Sequence, residues 1–106
     1  MNIYKVTRGD PIDYDTFDSF VVVAPDEATA RRTHPANSRD LTLTWNDCTE
    51  LAFAHGTTPG CWCGSDGRPE RMDNGWTNDI EALTVTTLGK AGDIKPGVVL
   101  ASFNAG

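Results

Sequence analysis

The feature that most limits the fold of this chain is an unbroken run of strand-forming residues, SFVVVA, at positions 19–24. β-Branched side chains favour extended backbone, and a run that is apolar at successive rather than alternate positions is typical of a strand buried on both faces. The chain is therefore predicted to be built around a sheet in which residues 19–24 form a central strand.

Three other segments have strand patterns. Residues 3–8 alternate apolar or aromatic with polar side chains, and we predict that they pair with the central strand as an antiparallel hairpin. Residues 82–88 alternate in the same way, and residues 98–103 follow a turn region at 89–97 that contains two glycines besides Gly89, and a proline.

Residues 25–33 predict one short helix. Pro25 suits the first helical position, acidic residues follow it, and two arginines lie near the other end, as the helix dipole favours. Pro35 disfavours helical geometry in the residue before it and ends the helix. The narrow stripe expected to contact the sheet is Ala24, Ala28 and residues 30–31.

Residues 36–78 differ in composition from both ends of the chain. They are rich in turn-forming residues and hold all three tryptophans and all three cysteines, with a strand-like piece at 41–45 and a candidate helix at 46–55 that ends at Gly56. A structureless segment of this length is improbable in so small a domain. We expect it to be ordered by a satellite cluster of tryptophans, by a metal bound to the cysteines, or by the short helix.

These patterns predict one α+β domain over residues 1–106. It consists of a small antiparallel β-sheet of three to five strands with one short helix packed on a face and a long loop-rich insertion. The sheet and helix come from residues 1–35 and 80–106, and the insertion is residues 36–78.

Charge and hydropathy exclude several classes of protein. The chain has 15 acidic against 9 basic residues and a net charge of −6, which argues against direct binding of nucleic acid. No apolar run approaches the roughly 18 residues that cross a bilayer, and the first residues lack the pattern of a signal peptide. We therefore expect a cytoplasmic protein without membrane contact.

Cys48, His55, Cys61 and Cys63 could together form a structural zinc site, because zinc prefers thiolate and imidazole ligands. The spacing is unusual for zinc, since a C-x-C pair is expected to present its two sulfurs awkwardly. The alternatives are reduced, partly buried cysteines, or a disulfide from Cys48 to one of the other two. We expect no cofactor, with zinc as the alternative.

An aspartate-rich loop is the second candidate metal site. It lacks the glycine and glutamate of a calcium-binding loop, so the carboxylates are expected to cap turns instead. They could also belong to an acidic face that competes with nucleic acid for a basic groove on another protein. These residues are Asp10, Asp13, Asp15 and Asp18.

Catalysis is not expected. A cysteine nucleophile could pair with His34 or His55, but such pairs arise by chance, and His34 is expected to end its helix, where a positive charge suits the dipole. No phosphate-binding glycine loop, nucleophile elbow or metalloprotease signature is present.

The tryptophans have two interpretations. Trp45, Trp62 and Trp76 either form the core of the insertion or present an exposed recognition patch, since Trp and Arg are common at binding hot spots. In the second case we expect a surface loop to bind a partner. The candidate partner-binding residues are Trp62, Arg68, Arg71, Trp76, Asp13 and Asp15.

Stretches at both ends of the chain carry a family resemblance: IYKV at 3–6, DYDTFDS at 13–19, FVVVA at 20–24, the helix through to HP at 34–35, VTTLG at 85–89 and GVVLASFNAG at 97–106. Together they resemble a group of small uncharacterised proteins encoded by bacteriophages and prophages. The resemblance covers about half of the chain and excludes the middle. It implies a phage origin, a similar fold and a location in the host cytoplasm, and it brings no catalytic residues with it.

The leading hypothesis is a non-catalytic phage-type protein that binds and inhibits a host protein, such as a component of an antiviral defence system (an anti-CRISPR or other anti-defence protein). It would act as a monomer or homodimer. One alternative is a module that sequesters a small nucleotide signal, and the other is a zinc-stabilised structural protein. The anion-binding candidates for the nucleotide are Arg31, Arg32, Arg68 and Arg71.

Overall fold

The computed structural model describes residues 1–8, 16–37, 42–47, 60–68, 76–77 and 79–104. Within them the elements, in chain order, are β1 (Asn2–Thr7), β2 (Thr16–Ala24), α1 (Glu27–Arg31), β3 (Thr44–Asn46), β4 (Cys61–Cys63), a 3₁₀ turn (Ile80–Ala82), β5 (Thr84–Lys90) and β6 (Gly97–Asn104).

The main sheet has four strands in the order β5-β1-β2-β6, and every neighbouring pair is antiparallel. This confirms the predicted α+β fold and the predicted hairpin of β1 and β2, which are the two central strands. One face of these strands is buried along its length, and on the other face Val23 of β2 is also buried. The largest contributors to the first face are Tyr4, Val6, Phe20 and Val22, which alternate along the two strands as a period of two requires.

Helix α1 covers part of this face through Ala30, which is completely buried. The helix begins later than the sequence indicates. Asp26 is the N-cap, with extended backbone and a side-chain oxygen that accepts the N–H of Thr29 at 2.7 Å, so Pro25 lies outside the helix. The prediction of Pro25 as the first helical residue is wrong because a carboxylate that satisfies a free N–H defines the start better than a proline does. Ala28, which the sequence placed in the contact stripe, is exposed.

The middle of the chain contributes a two-stranded antiparallel ribbon, β3 paired with β4, in which Trp45 lies directly opposite Trp62. The two indoles meet edge to face at 5.3 Å. Both belong to the same buried cluster as the side chains of β1 and β2. The tryptophans therefore extend the main core and do not form the separate satellite cluster considered above. The candidate helix at 46–55 begins with a strand residue, Asn46, and residues 48–55 lie outside the described part of the chain.

The edge strands β5 and β6 lie at opposite sides of the sheet although residues 91–96 alone connect them. This connection must cross the ends of β1 and β2, about 14 Å for three interstrand spacings. Within this connection the backbone N–H of Ala91 donates to the carbonyl of Met1 at 3.1 Å. Each edge strand also contains a register shift, near Leu88 in β5 and near Val99 in β6.

Candidate functional site

Trp62 and Trp76 are buried, with 1% and 0% of their surface exposed. The interpretation of these residues as an exposed recognition patch is therefore wrong. The alternative, a core of the insertion, is correct in that the indoles are buried, but they belong to the same cluster as the side chains of the main sheet. An indole removes more apolar area from water than other side chains do, so a small domain gains most by burying it.

The two indoles differ in their polar contacts. The Nε1–H of Trp62 donates to the carbonyl of Thr77 at 2.9 Å. Trp76 packs edge to face on Phe20 at 5.3 Å and lies under the guanidinium of Arg8, 5.7 Å from the ring centroid. Its own Nε1–H is buried without a hydrogen-bond partner in the described structure.

Arg68 is exposed, as a binding residue must be, and it closes a compact turn after β4. Its carbonyl accepts the N–H of Gly64 at 3.0 Å, and its N–H donates to the carboxylate of Asp66 at 3.0 Å. Gly67 makes the turn at a φ of +78°. The other predicted partner-binding residues, Arg71, Asp13 and Asp15, lie outside the described residues.

The strand β4 presents the thiols of Cys61 and Cys63 on one face and Trp62 on the other, because successive side chains alternate along a strand. Both cysteines are buried, and their sulfurs are 3.8 Å apart. Alternate residues of an extended segment share a face, which brings the two sulfurs side by side, and the expectation about zinc spacing stays a prediction. Cys48 and His55 are outside the described residues, within which no group of three or more potential ligands could hold a metal ion.

His34 is completely buried beyond the helix and does not end it, since α1 stops at Arg31. Its Nδ1 accepts the N–H of Ala36 at 3.0 Å, so that nitrogen carries no proton. The ring packs edge to face on Trp62 at 4.9 Å. His34 thus organises the core around Trp62, and the prediction of a charged residue at the helix dipole is wrong.

Arg31 and Arg32, the candidates for an anion site, are both engaged within the protein. The guanidinium of Arg31 donates to the carbonyls of Ile80 and Leu83 and pairs with Glu27. Arg32 lies 3.9 Å from the carboxylate of Asp47. The predicted assignment of Arg31 to a nucleotide is wrong, because carbonyl oxygens already occupy the fork of its donors.

Among the described residues the most exposed large apolar side chains lie on the edge strand β6, which the sequence patterns did not indicate as a surface. Val99 and Leu100 are 59% and 66% exposed. Their neighbours Val98 and Ala101 pack against the core, so a run of four apolar residues must place some of its members outside. That run, at 98–101 in a strand without a single charged residue, is the signal that could have identified this surface.

None of the described helices is long and apolar enough to cross a membrane. Comparison of the chain with protein-family models, with curated proteins and with solved structures finds no match.

Proposed function

We propose that this protein is a non-catalytic binding protein that takes up a strand-forming segment of another protein along the outer edge of β6. The main observation in support of the proposal is the outer edge of β6. β6 is the last strand of the main sheet, no described strand pairs with its outer side, and Val99 and Leu100 are mostly exposed there.

An edge strand offers a row of backbone N–H and C=O groups to any extended segment of suitable shape. Residues 100–104 all pair with β2, with one extra β2 residue between the partners of Ser102 and Phe103, so this stretch of β6 extends about 17 Å without a bulge of its own. Five residues of strand pairing are enough to recognise a peptide segment when side chains add specificity.

The two edge strands of the sheet differ in how well their side chains prevent pairing with another chain. Edge strands commonly carry charged residues, above all lysine, that prevent pairing with other chains. β5 ends in Lys90, whereas β6 has no charged residue between Gly97 and Asn104. A partner strand is therefore more easily accommodated at β6 than at β5.

The exposed apolar side chains of β6 and the negative charge of the chain indicate the chemistry of the partner. Apolar side chains on the added strand would cover Leu100, and basic surroundings would complement a chain with a net charge of −6. A second copy of the chain carries the same negative charge, which opposes pairing of two β6 edges. The resemblance to bacteriophage proteins makes a host protein, and among host proteins a component of antiviral defence, the first partner to test.

Leu100→Lys tests the proposal, with Leu88→Lys on the opposite edge as the matched control, because Leu88 is also exposed at 55%. Each immobilised protein is incubated with bacterial extract, and retained proteins are identified by mass spectrometry. We expect one protein to be retained by the wild type and by Leu88→Lys and lost with Leu100→Lys. Retention of nothing, equal retention by all three, or a stable homodimer of the wild type that Leu100→Lys dissociates would each overturn the proposal.

A further inference from the structure

We propose that β6 selects its partner strand by three neighbouring side chains, which call for a large apolar residue beside Ala101, an apolar residue beside Leu100 and a polar residue beside Ser102. This inference rests on the proposed function and names the sequence pattern of the segment that binds there. The register of the four strands places each of these three residues at the end of a row of side chains with its own chemistry.

Residues 100–102 alternate between the two faces of the main sheet. Ala101 is paired with Phe20 and packs against the core. Leu100 and Ser102, on either side of it, lie on the opposite face of the sheet, which we call the second face, and both are exposed. A strand added along β6 would continue the pairing, so each of its side chains would lie beside one residue of β6 on the same face.

The row that ends at Ala101 is apolar across all four strands. It consists, in the order in which the strands pair, of Val85, Val6, Phe20 and Ala101. Val6 and Phe20 are buried, with 0% and 2% of their surface exposed, whereas Ala101 is only partly buried. Because Ala101 is also the smallest side chain of the row, a large apolar side chain beside it would extend the row and bury apolar area of both strands.

The next row lies on the second face and is half apolar. It consists of Thr86, Lys5, Val21 and Leu100. Thr86 and Lys5 are exposed, Val21 is partly buried and Leu100 is 66% exposed. The apolar half of the row therefore ends at the outer edge of β6, where an apolar side chain on the partner would cover Leu100.

The third row, also on the second face, carries a hydroxyl group on every strand. It consists of Thr84, Thr7, Ser19 and Ser102. A polar side chain beside Ser102 can exchange a hydrogen bond with its hydroxyl, whereas an apolar one would cover the hydroxyl without replacing its bonds to water. We therefore expect β6 to discriminate against an apolar residue at this position.

Together the three positions define a segment in which a large apolar residue has an apolar neighbour on one side and a polar neighbour on the other. In an ordinary amphipathic strand the two neighbours share one face and one polarity. The predicted segment differs because its two neighbours meet different rows of the second face. Their order along the partner depends on whether it binds parallel or antiparallel to β6, so the pattern is read in both directions.

The test is selection from a library of random peptides displayed on phage, with the intact wild-type protein as the immobilised target. Peptides that also bind Leu100→Lys are removed. We expect the remaining peptides to share the pattern. Synthetic versions are then measured by fluorescence anisotropy, and we expect binding about tenfold weaker when the large apolar residue is changed to Ser or the polar residue to Leu.

Changes in β6 should alter the selected pattern in a matching way. Ser102→Leu should replace the polar preference with an apolar one, and Ala101→Leu should replace the large residue with a small one. The matched control is Thr84→Leu, since Thr84 is exposed in the same hydroxyl row but on the opposite edge strand. Circular dichroism shows whether each variant folds, and if Ala101→Leu does not, the exposed position of Ser102 decides the question.

The outcomes separate this inference from the proposed function. If no peptide bound by the wild type is lost with Leu100→Lys, the proposed function fails and the inference fails with it. If such peptides are obtained but share no pattern, or if folded Ser102→Leu selects the same pattern as the wild type, the inference is overturned while strand binding at β6 stands. A pattern that changes as much with Thr84→Leu as with Ser102→Leu would also overturn it.

Discussion

Arg31 in the helix donates a hydrogen bond to the carbonyl of Leu83 at 2.6 Å, across 52 residues of sequence. The same nitrogen reaches the carbonyl of Ile80 at 2.8 Å. The carbonyl of Ile80 belongs to the 3₁₀ turn that leads into β5, and that of Leu83 directly follows the turn. One guanidinium therefore fixes the helix relative to the edge of the sheet. Glu27, one helical turn earlier, holds the other terminal nitrogen at 3.2 Å.

Replacing Arg31 with Ala is expected to lower the free energy of unfolding by about 2 kcal/mol, because two carbonyls lose a charged donor. Arg31→Lys should recover only part of the loss, since an ammonium lacks the planar fork. Arg32→Ala is the control, with a side chain that is 40% exposed and an expected change below about 0.5 kcal/mol. Urea unfolding followed by circular dichroism measures all three, and equal losses for Arg31→Ala and Arg32→Ala would contradict the assignment.

Trp62 and Trp76 provide a comparison between a satisfied and an unsatisfied indole. Both side chains are buried, but only the Nε1–H of Trp62 has an acceptor in the described structure. Each change to Phe removes similar volume, while Trp62→Phe also leaves the carbonyl of Thr77 without its donor. We expect Trp62→Phe to be more destabilising than Trp76→Phe by about 1 kcal/mol. Chemical unfolding measured by circular dichroism decides this, and the reverse order would show that Trp76 has a polar partner.

The four strands of the main sheet could be predicted because their patterns are local, whereas β4 was not predicted. The apolar residues of β1 follow a period of two, and the valine run of β2 predicts a central strand. The start of the helix could not be fixed in the same way, because Pro25 and Asp26 are both acceptable near a helix N-terminus and only the bond to Thr29 distinguishes them.

The candidate binding surface depends on topology, which the sequence does not carry locally. Leu100 is exposed in the strand that ends the sheet. The composition of β6 alone would suit a central strand equally well. The local sequence around Trp76 suits either a core residue or a surface loop, and long-range packing on Phe20 places it in the core. The sulfur distance in β4 likewise follows from an extended backbone that three residues, CWC, do not by themselves specify.

Gly60 is expected to tolerate no side chain. It precedes β4, and a Cβ there would overlap the indole of Trp45 and approach the carbonyl oxygen of Asn46 to 2.7 Å. Gly60→Ala should therefore destabilise the protein by about 2 kcal/mol through overpacking. Gly92→Asn is the control, because Gly92 has open space around it and a φ of +62° that Asn adopts at little cost. A shift in melting temperature no larger than that of the control would show that the ribbon can move away from Gly60.

Asp26 makes the stability of the helix depend on pH. The hydroxyl of Thr29 and then its backbone N–H stabilise the carboxylate and hold the pKa of Asp26 below its ordinary value of 3.8. A folded pKa below the unfolded one means that the stabilisation is complete above the unfolded value and is lost as the pH falls through the folded value. Asn also caps helices but does not titrate.

The melting temperature of the wild type should therefore exceed that of Asp26→Asn near pH 6, and the difference should shrink as the pH falls below 3.8. Thr29→Val removes the hydroxyl, which is the larger cause of the lowered pKa of Asp26, so in that background the difference should be smaller and its loss should be complete at a higher pH. Thermal unfolding at half-unit intervals from pH 6 to pH 2.5 measures both series. A difference between wild type and Asp26→Asn that stays constant over this range would mean that the charge on Asp26 does not act at the helix start.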